Sequence, residues 1–375
     1  MKAFITGAVV LAIVLAGFAG PAMAQALKGP VDDKPITEKW APTKWGANDR
    51  AGASNHTKNA ANIARALATV KQNKAITVGK YYHREAPAFG PRAWRMVIPG
   101  TPQGGPFGKN ALVYHDEYVT TEIGQIQTQF DGPGHIGVNT SKGMLFHNGM
   151  FAHESYERGA GGRVMGMGPL GVEHVGELGY VCRLVVLDAV AYRKSQGKIP
   201  ASAEMLPIPK DANSPGIVTA DDVKAIVKAQ GLAEIGPGDC VALHTGQGNS
   251  WSNDRYKTMT SEQRAAARAL FAQGEPGWGI SACLYMASRD IALTMGDTSA
   301  NDAQPFGEAW KPGDKGNEYA VPCHTEMQPR RGIWNLENVD TKSLVDNKIL
   351  EGAFIWAPLR IIGGTGSPGN PVVLY

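Results

Sequence analysis

QIQTQFDGPGHIG, Gln125 to Gly137, is the stretch on which the reading of this chain turns. Polar and apolar residues alternate from Gln125 to Asp131, the period of a β-strand with two unlike faces. Gln125, Gln127, Gln129 and Asp131 are expected on one face, and Ile126, Thr128 and Phe130 on the other. Gly132-Pro133-Gly134 then forces a tight turn, because proline fixes φ and glycine enters conformations other residues avoid. His135 follows at once, so the turn can fold its imidazole back over Asp131. A carboxylate that ligates and an imidazole that takes a proton make a hydrolytic pair. A polar sheet face ending in an ordinary turn has the same pattern.

Outward from this stretch, three short apolar runs have the form of buried strands: RLVVLDA (183–189), CVALHTG (240–246) and IALTMGD (291–297). Helices are predicted between them. Thr219 and Asp222 form an N-cap signature before VKAIVKAQ, and SEQRAAARALFAQ (261–273) is strongly helical. Earlier, Ile63, Leu67 and Val70 predict one apolar helical stripe. Strands alternating with helices indicate an α/β domain. Pro87 to Gly108, dense in glycine and proline, reads as a long loop, either a binding lid or plain surface.

The first residues are set apart. Lys2, the apolar run FITGAVVLAIVLAGFAG and the small-residue site AMA predict a signal peptide over 1–24. A polar arm is expected over 25–44, and one domain over 45–375. The mature protein is expected to be secreted, periplasmic in a Gram-negative host, with no membrane association after cleavage. A formal charge of +3 with no basic run argues against nucleic acid as a partner. Export permits disulfides among Cys182, Cys240, Cys283 and Cys323, but a chain this long does not require them, and free buried thiols are expected.

Further candidates lie apart in sequence. His324 and Glu337, in PCHTEMQPRRGIWNLENV, would reach an ion if that segment folds back. His244 and Asp297 end predicted strands, where α/β proteins bind ligands. Trp94, Trp251 or Trp278 are candidates to line a pocket.

Together TQFDGPGHIG, LGVEH, VVLDAVAY, IGPGDCVALHTGQG, HTEM, GIWNLENV and FIWAPLRIIGGTGSP resemble, in order, the cyclase family of metal-dependent hydrolases, which includes kynurenine formamidase and isatin hydrolase. The family signature is His-x-Gly-Thr-His-x-Asp-x-Pro-x-His. Thr128, Asp131, Pro133 and His135 match it, whereas Gln125 and Gln129 replace two histidine ligands and Gln127 replaces the glycine. The resemblance implies a swivelling β/β/α single domain and a homo-dimer or tetramer. It implies that Asp131, His324 and Glu337 bind metal and that His135 is the acid/base. Glutamine offers a neutral, harder oxygen, so Gln125 and Gln129 would weaken a preference for Zn²⁺ and shift the site toward oxygen-loving ions such as Mn²⁺ or Mg²⁺; one ion, Mn²⁺ or Zn²⁺, is expected, with two metals disfavoured. The expected activity is hydrolysis of a small amide, cyclic amide or lactone. The rivals are a metal-dependent lyase or isomerase and a non-catalytic periplasmic binding protein with an emptied site.

Overall fold

The computed structural model describes residues 27–375, so the signal peptide expected over 1–24 lies outside the described residues. Nine strands form one mixed sheet: β1 (Ala75–Thr77), β2 (Gln129–Asp131), β3 (Tyr180–Asp188), β4 (Cys240–His244), β5 (Leu293–Gly296), β6 (Trp334–Glu337), β7 (Glu351–Trp356), β8 (Gly366–Pro368) and β9 (Val372–Leu374). Their spatial order is β1-β9-β7-β3-β4-β5-β6-β2-β8. The central four, β3 to β6, are parallel. Strand β2 lies antiparallel between β6 and β8.

The centre is buried on both faces, which is why its strands read as unbroken apolar runs. Along β3, Val185 and Leu187 face helices α2 (Ala220–Ala229) and α4 (Ile280–Ser288) with Val223, Ile226 and Met286. Cys182, Leu184 and Val186 face the opposite cluster around Phe130, Trp334 and Phe354. The predicted cap of α2 is present in full, with Thr219 and Asp222 bonded reciprocally. The expected helix over 261–273 is α3 (Ser261–Phe271). The α/β single-domain class read from the sequence is the one the chain adopts.

Four expectations are corrected. Helix α1, before β1, spans Ala60–Leu67 and buries Asn62 and Ala66, while Leu67 is exposed and Val70 lies beyond its end. The cysteines are not free: Cys182 bonds Cys240 and Cys283 bonds Cys323. Cys240 pairs in register with Leu184. Cys182, two residues away, therefore shares its face on the adjacent strand. Sequence could not show that β3 and β4 are neighbours. Exchanging either pair for serine is expected to cost about 2–5 kcal/mol of stability, read from urea unfolding against the oxidised wild-type protein with both bonds intact. An unchanged midpoint would reject the pairing.

The segment after Pro87 is not one loop. It carries two antiparallel ladders, Arg95–Val97 with Tyr118–Thr120 and Gly104–Phe107 with Leu112–Tyr114. Gly105, at φ of +97°, lies against the Leu112 carbonyl, where a Cβ would clash with backbone, so its lack of side chain is needed for the close pairing of the second ladder. Finally, the strand predicted over Gln125–Asp131 is regular only over Gln129–Asp131. Gln127 has φ of +52° and breaks the alternation.

A candidate metal centre

Register builds the site. Strand β2 pairs with β6 so that Gln129 stands opposite Glu337 and Asp131 opposite Asn335. Helix α5 (Pro322–Arg331) brings His324 over both strands. His324 Nε2 lies 3.3 Å from Asp131 Oδ2 and 3.1 Å from Glu337 Oε1. The three donor atoms converge within 4.8 Å, and all three residues are buried. Residues separated by about two hundred positions thus meet at one point.

Amides close the ring around them. Gln125 Nε2 donates to Asp131 Oδ1 at 2.9 Å, and Gln129 Nε2 donates to Glu337 Oε2 at 2.5 Å. Gln125 reaches the site although it is not in the strand. The left-handed turn at Gln127 carries the chain back, and Gln127 Nε2 ends on Pro87 O at 2.8 Å. This is the position at which the signature has glycine. A non-glycine residue there costs about 1–2 kcal/mol.

Three further residues act at the site without having been anticipated. Gln328, one helical turn beyond His324, donates to Asp131 Oδ2 at 3.0 Å. Asn335 donates to Glu337 Oε1 at 2.8 Å. Asp302 accepts from Cys323 N at the start of α5 and lies 2.7 Å from His324 Nδ1. A carboxylate on one ring nitrogen fixes the tautomer and aims the other nitrogen inward. The signal in the sequence was only an Asp in a polar run.

The electrostatics are unbalanced. Three buried carboxylates, of Asp131, Asp302 and Glu337, surround one imidazole. Burial, followed by the charge of Asp131, pushes Glu337 up to about 8. Burial alone would lower His324, but its hydrogen bonds to Asp131, Asp302 and Glu337 hold it well above its ordinary value. Burial would raise Asp131, yet His135, His324 and the Gln125 bond hold it well below the carboxylate range.

His135 does fold back over Asp131, with Nε2 at 3.5 Å from Oδ1. Its side chain is 19% exposed, against 6% or less for Asp131, His324 and Glu337. Burial lowers its pKa, with Asp131 opposing, so the imidazole is neutral near pH 7. It is placed to exchange a proton with a molecule arriving from outside.

The remaining candidates lie elsewhere. His244 Nδ1 lies 2.8 Å from Thr341 Oγ1, and the ring lines a separate cleft with Asp188, Lys194 and Arg255. Asp297 accepts from Thr245 N and Gly246 N, holding the turn after β4. The structure therefore gives Asp297 a turn-holding role and sets His244 apart from the Asp131 cluster. Trp251 lines a small cavity with Lys80 and Gln127. Trp94 packs at a tilt of 46° against Tyr82, 5.1 Å between centroids, and Tyr82 bonds Thr128 O. Trp278 is buried beside the Cys283–Cys323 bond and lines a cavity of about 10 Å³ with His324.

Two solved structures share the architecture. One, described as a novel cyclase, aligns with TM-score 0.66 and 20% identity, over 88% of this chain and 96% of its own. Isatin hydrolase A from Ralstonia solanacearum aligns with TM-score 0.50 and 18% identity, over 84% of this chain and 94% of its own. No curated protein matches significantly. The family model described as putative cyclase matches residues 76–303, which contain the Gln125–His135 signature. The chain belongs to the cyclase family.

Proposed function

We propose that the protein is an exported hydrolase that uses one divalent ion, Mn²⁺ or Zn²⁺, to open a small amide, cyclic amide or lactone. The observation that carries this reading is the aim of His324. Its Nε2 faces two buried carboxylates while Asp302 occupies Nδ1. Amide N–H groups satisfy hydrogen bonds there but bring no charge, so once His324 and Glu337 give up their protons a cation is what the donor set lacks.

Asp131, His324 and Glu337 would hold the ion. Gln125 and Gln129 would add neutral oxygens by turning the amide nitrogens off the carboxylates. When bound, such an ion polarises a carbonyl and makes a nucleophile of water near neutral pH. Neutral His135 takes the proton at Nε2 and returns it to the leaving nitrogen or oxygen. Asp131, 3.5 Å away, stabilises the imidazolium formed in between. Elemental analysis of protein purified from the periplasm without chelator tests the metal: about one ion per chain is expected, and none would leave a metal-free binding protein. Oxygen from labelled water in the product separates hydrolysis from a lyase or isomerase.

Export is supported by the two disulfides, which persist in oxidising compartments. Among the described residues no helix is long and apolar enough to cross a membrane. A mature N-terminus near Gln25 is expected on sequencing the periplasmic protein.

Self-association is part of the same proposal. Met96, Val97, Phe107, Leu112, Val113 and Tyr118 on the ladders after Pro87 are each more than half exposed. An isolated two-stranded ribbon is marginal in water, and each ribbon here has free edges. The joint substitution Val97→Asp, Val113→Asp is expected to reduce the mass in light scattering from dimer or tetramer to monomer. A wild-type monomer at tens of micromolar would discard the idea.

A further inference from the structure

The N-terminal arm, after its short helix Lys34–Thr37, meets helix α5 through Glu38 and Arg330 and borders a further cavity of about 330 Å³. Trp40, Lys44, Trp45, Asp290, Arg330 and Arg331 are among its walls. Most of its charges are already matched. Arg331 Nη1 bonds Glu326 Oε2 at 2.6 Å, and Lys44 pairs with Asp290. Arg330 is different. Its side chain is 6% exposed, yet its Nη1 has no hydrogen-bond partner among the described residues. Its Nε stands 3.3 Å from Glu326 Oε2 without making a hydrogen bond. Only Nη2 is satisfied, by Glu38 Oε2 at 2.6 Å, from a side chain that is itself half exposed. Trp40 Nε1, in the same walls, also lacks an acceptor.

Buried donors without acceptors are rare and call for a missing partner. Both here are donors, so the partner is an acceptor. A guanidinium binds a carboxylate best through two parallel bonds, and Glu38 makes one. The Arg330 charge is matched by Glu38 and Glu326, but its hydrogen-bonding fork is half used, so a monoanion that makes both bonds would replace Glu38 without changing the charge balance. The two indoles supply flat apolar walls.

We infer that this cavity is a second ligand site, distinct from the metal centre, for a small molecule carrying one carboxylate on a flat ring, with Glu38 standing in for that carboxylate in the empty state. The ligand carboxylate displaces Glu38, takes the Arg330 fork, and lies between Trp40 and Trp45. Neither donor atom is accessible in the empty state, so the site includes a shift of Glu38 and Trp40 that brings Arg330 Nη1 to the cavity.

Calorimetric titration of the full mature chain with benzoate tests this, with benzyl alcohol as the uncharged control. Benzoate is expected to bind in the millimolar range and benzyl alcohol not to bind. Glu38→Gln, which removes the competitor, is expected to tighten benzoate about two- to fivefold, the worth of a half-exposed ion pair. Trp40→Ala is expected to weaken it about tenfold through loss of the ring contact. Both side chains are partly exposed, so neither substitution threatens the fold. Benzoate binding that ignores both substitutions would place it at the metal centre and overturn the inference. Absence of binding in the wild type and in Glu38→Gln would overturn it equally. Loss of binding in Glu38→Gln would show Glu38 to be a ligand contact and not a stand-in.

Discussion

His135→Ala is expected to lower turnover of a hydrolysed substrate by about 10²- to 10⁴-fold, the range for a positioned acid or base, with the bound ion retained. The two halves of this expectation come from different observations. His135 is absent from the converging set of Asp131, His324 and Glu337, so removing it leaves those donors in place. It is the most exposed of the four, and burial keeps its imidazole neutral at pH 7. Activity should therefore fall as pH drops through the His135 pKa, because protonation removes the base. Single-turnover rates and metal content measured on the same sample check both halves. Full activity in the variant would move the proton to another group. Loss of the ion would make His135 a ligand.

Ion binding is expected to become tighter with rising pH, by about tenfold per unit for each proton displaced. The sign follows from the groups themselves. Glu337, raised to about 8, stays protonated in the folded chain where the unfolded chain has lost that proton. The metal-free fold therefore loses stability from roughly pH 4.5 to 8, at about 1.4 kcal/mol per unit per proton. His324 acts in the same direction. Its stabilising charge is fully present below about 6.5, its unfolded value, and is lost as pH rises through its elevated folded value. Asp131 is depressed, so its contribution is lost only in strong acid. A divalent ion replaces the protons and removes the slope. At about a hundred times Kd it adds roughly 2.7 kcal/mol. Thermal unfolding with and without Mn²⁺ or Zn²⁺ at pH 5 to 8 should show a melting shift that grows with pH. No shift at pH 8 would mean that the glutamines have closed the site.

Much of this was legible in the chain alone. The strands at 183, 240 and 293 announce themselves because both faces of the central sheet are buried. The cap at Thr219 is local chemistry between neighbours. Asp131 and His135 are joined by a turn that Gly132-Pro133-Gly134 dictates, so their meeting needed no distant information. Motif order led to His324 and Glu337, though only as implied ligands. Tertiary structure decided the rest. Pairing of β2 with β6 sets Gln129 against Glu337, and α5 swings His324 and Gln328 onto Asp131. Asp302 became a partner of His324 only through that placement. The Cys182–Cys240 bond depended on β3 and β4 being neighbours in the sheet, which follows from no property of either cysteine. Even the path of Gln125 escaped the alternation of its own stretch, because a left-handed Gln127 breaks the strand. Period and turn chemistry act over a few residues and can be read directly. Sheet order and helix docking arise from burial summed over the whole chain, and they decide which buried charges must face one another.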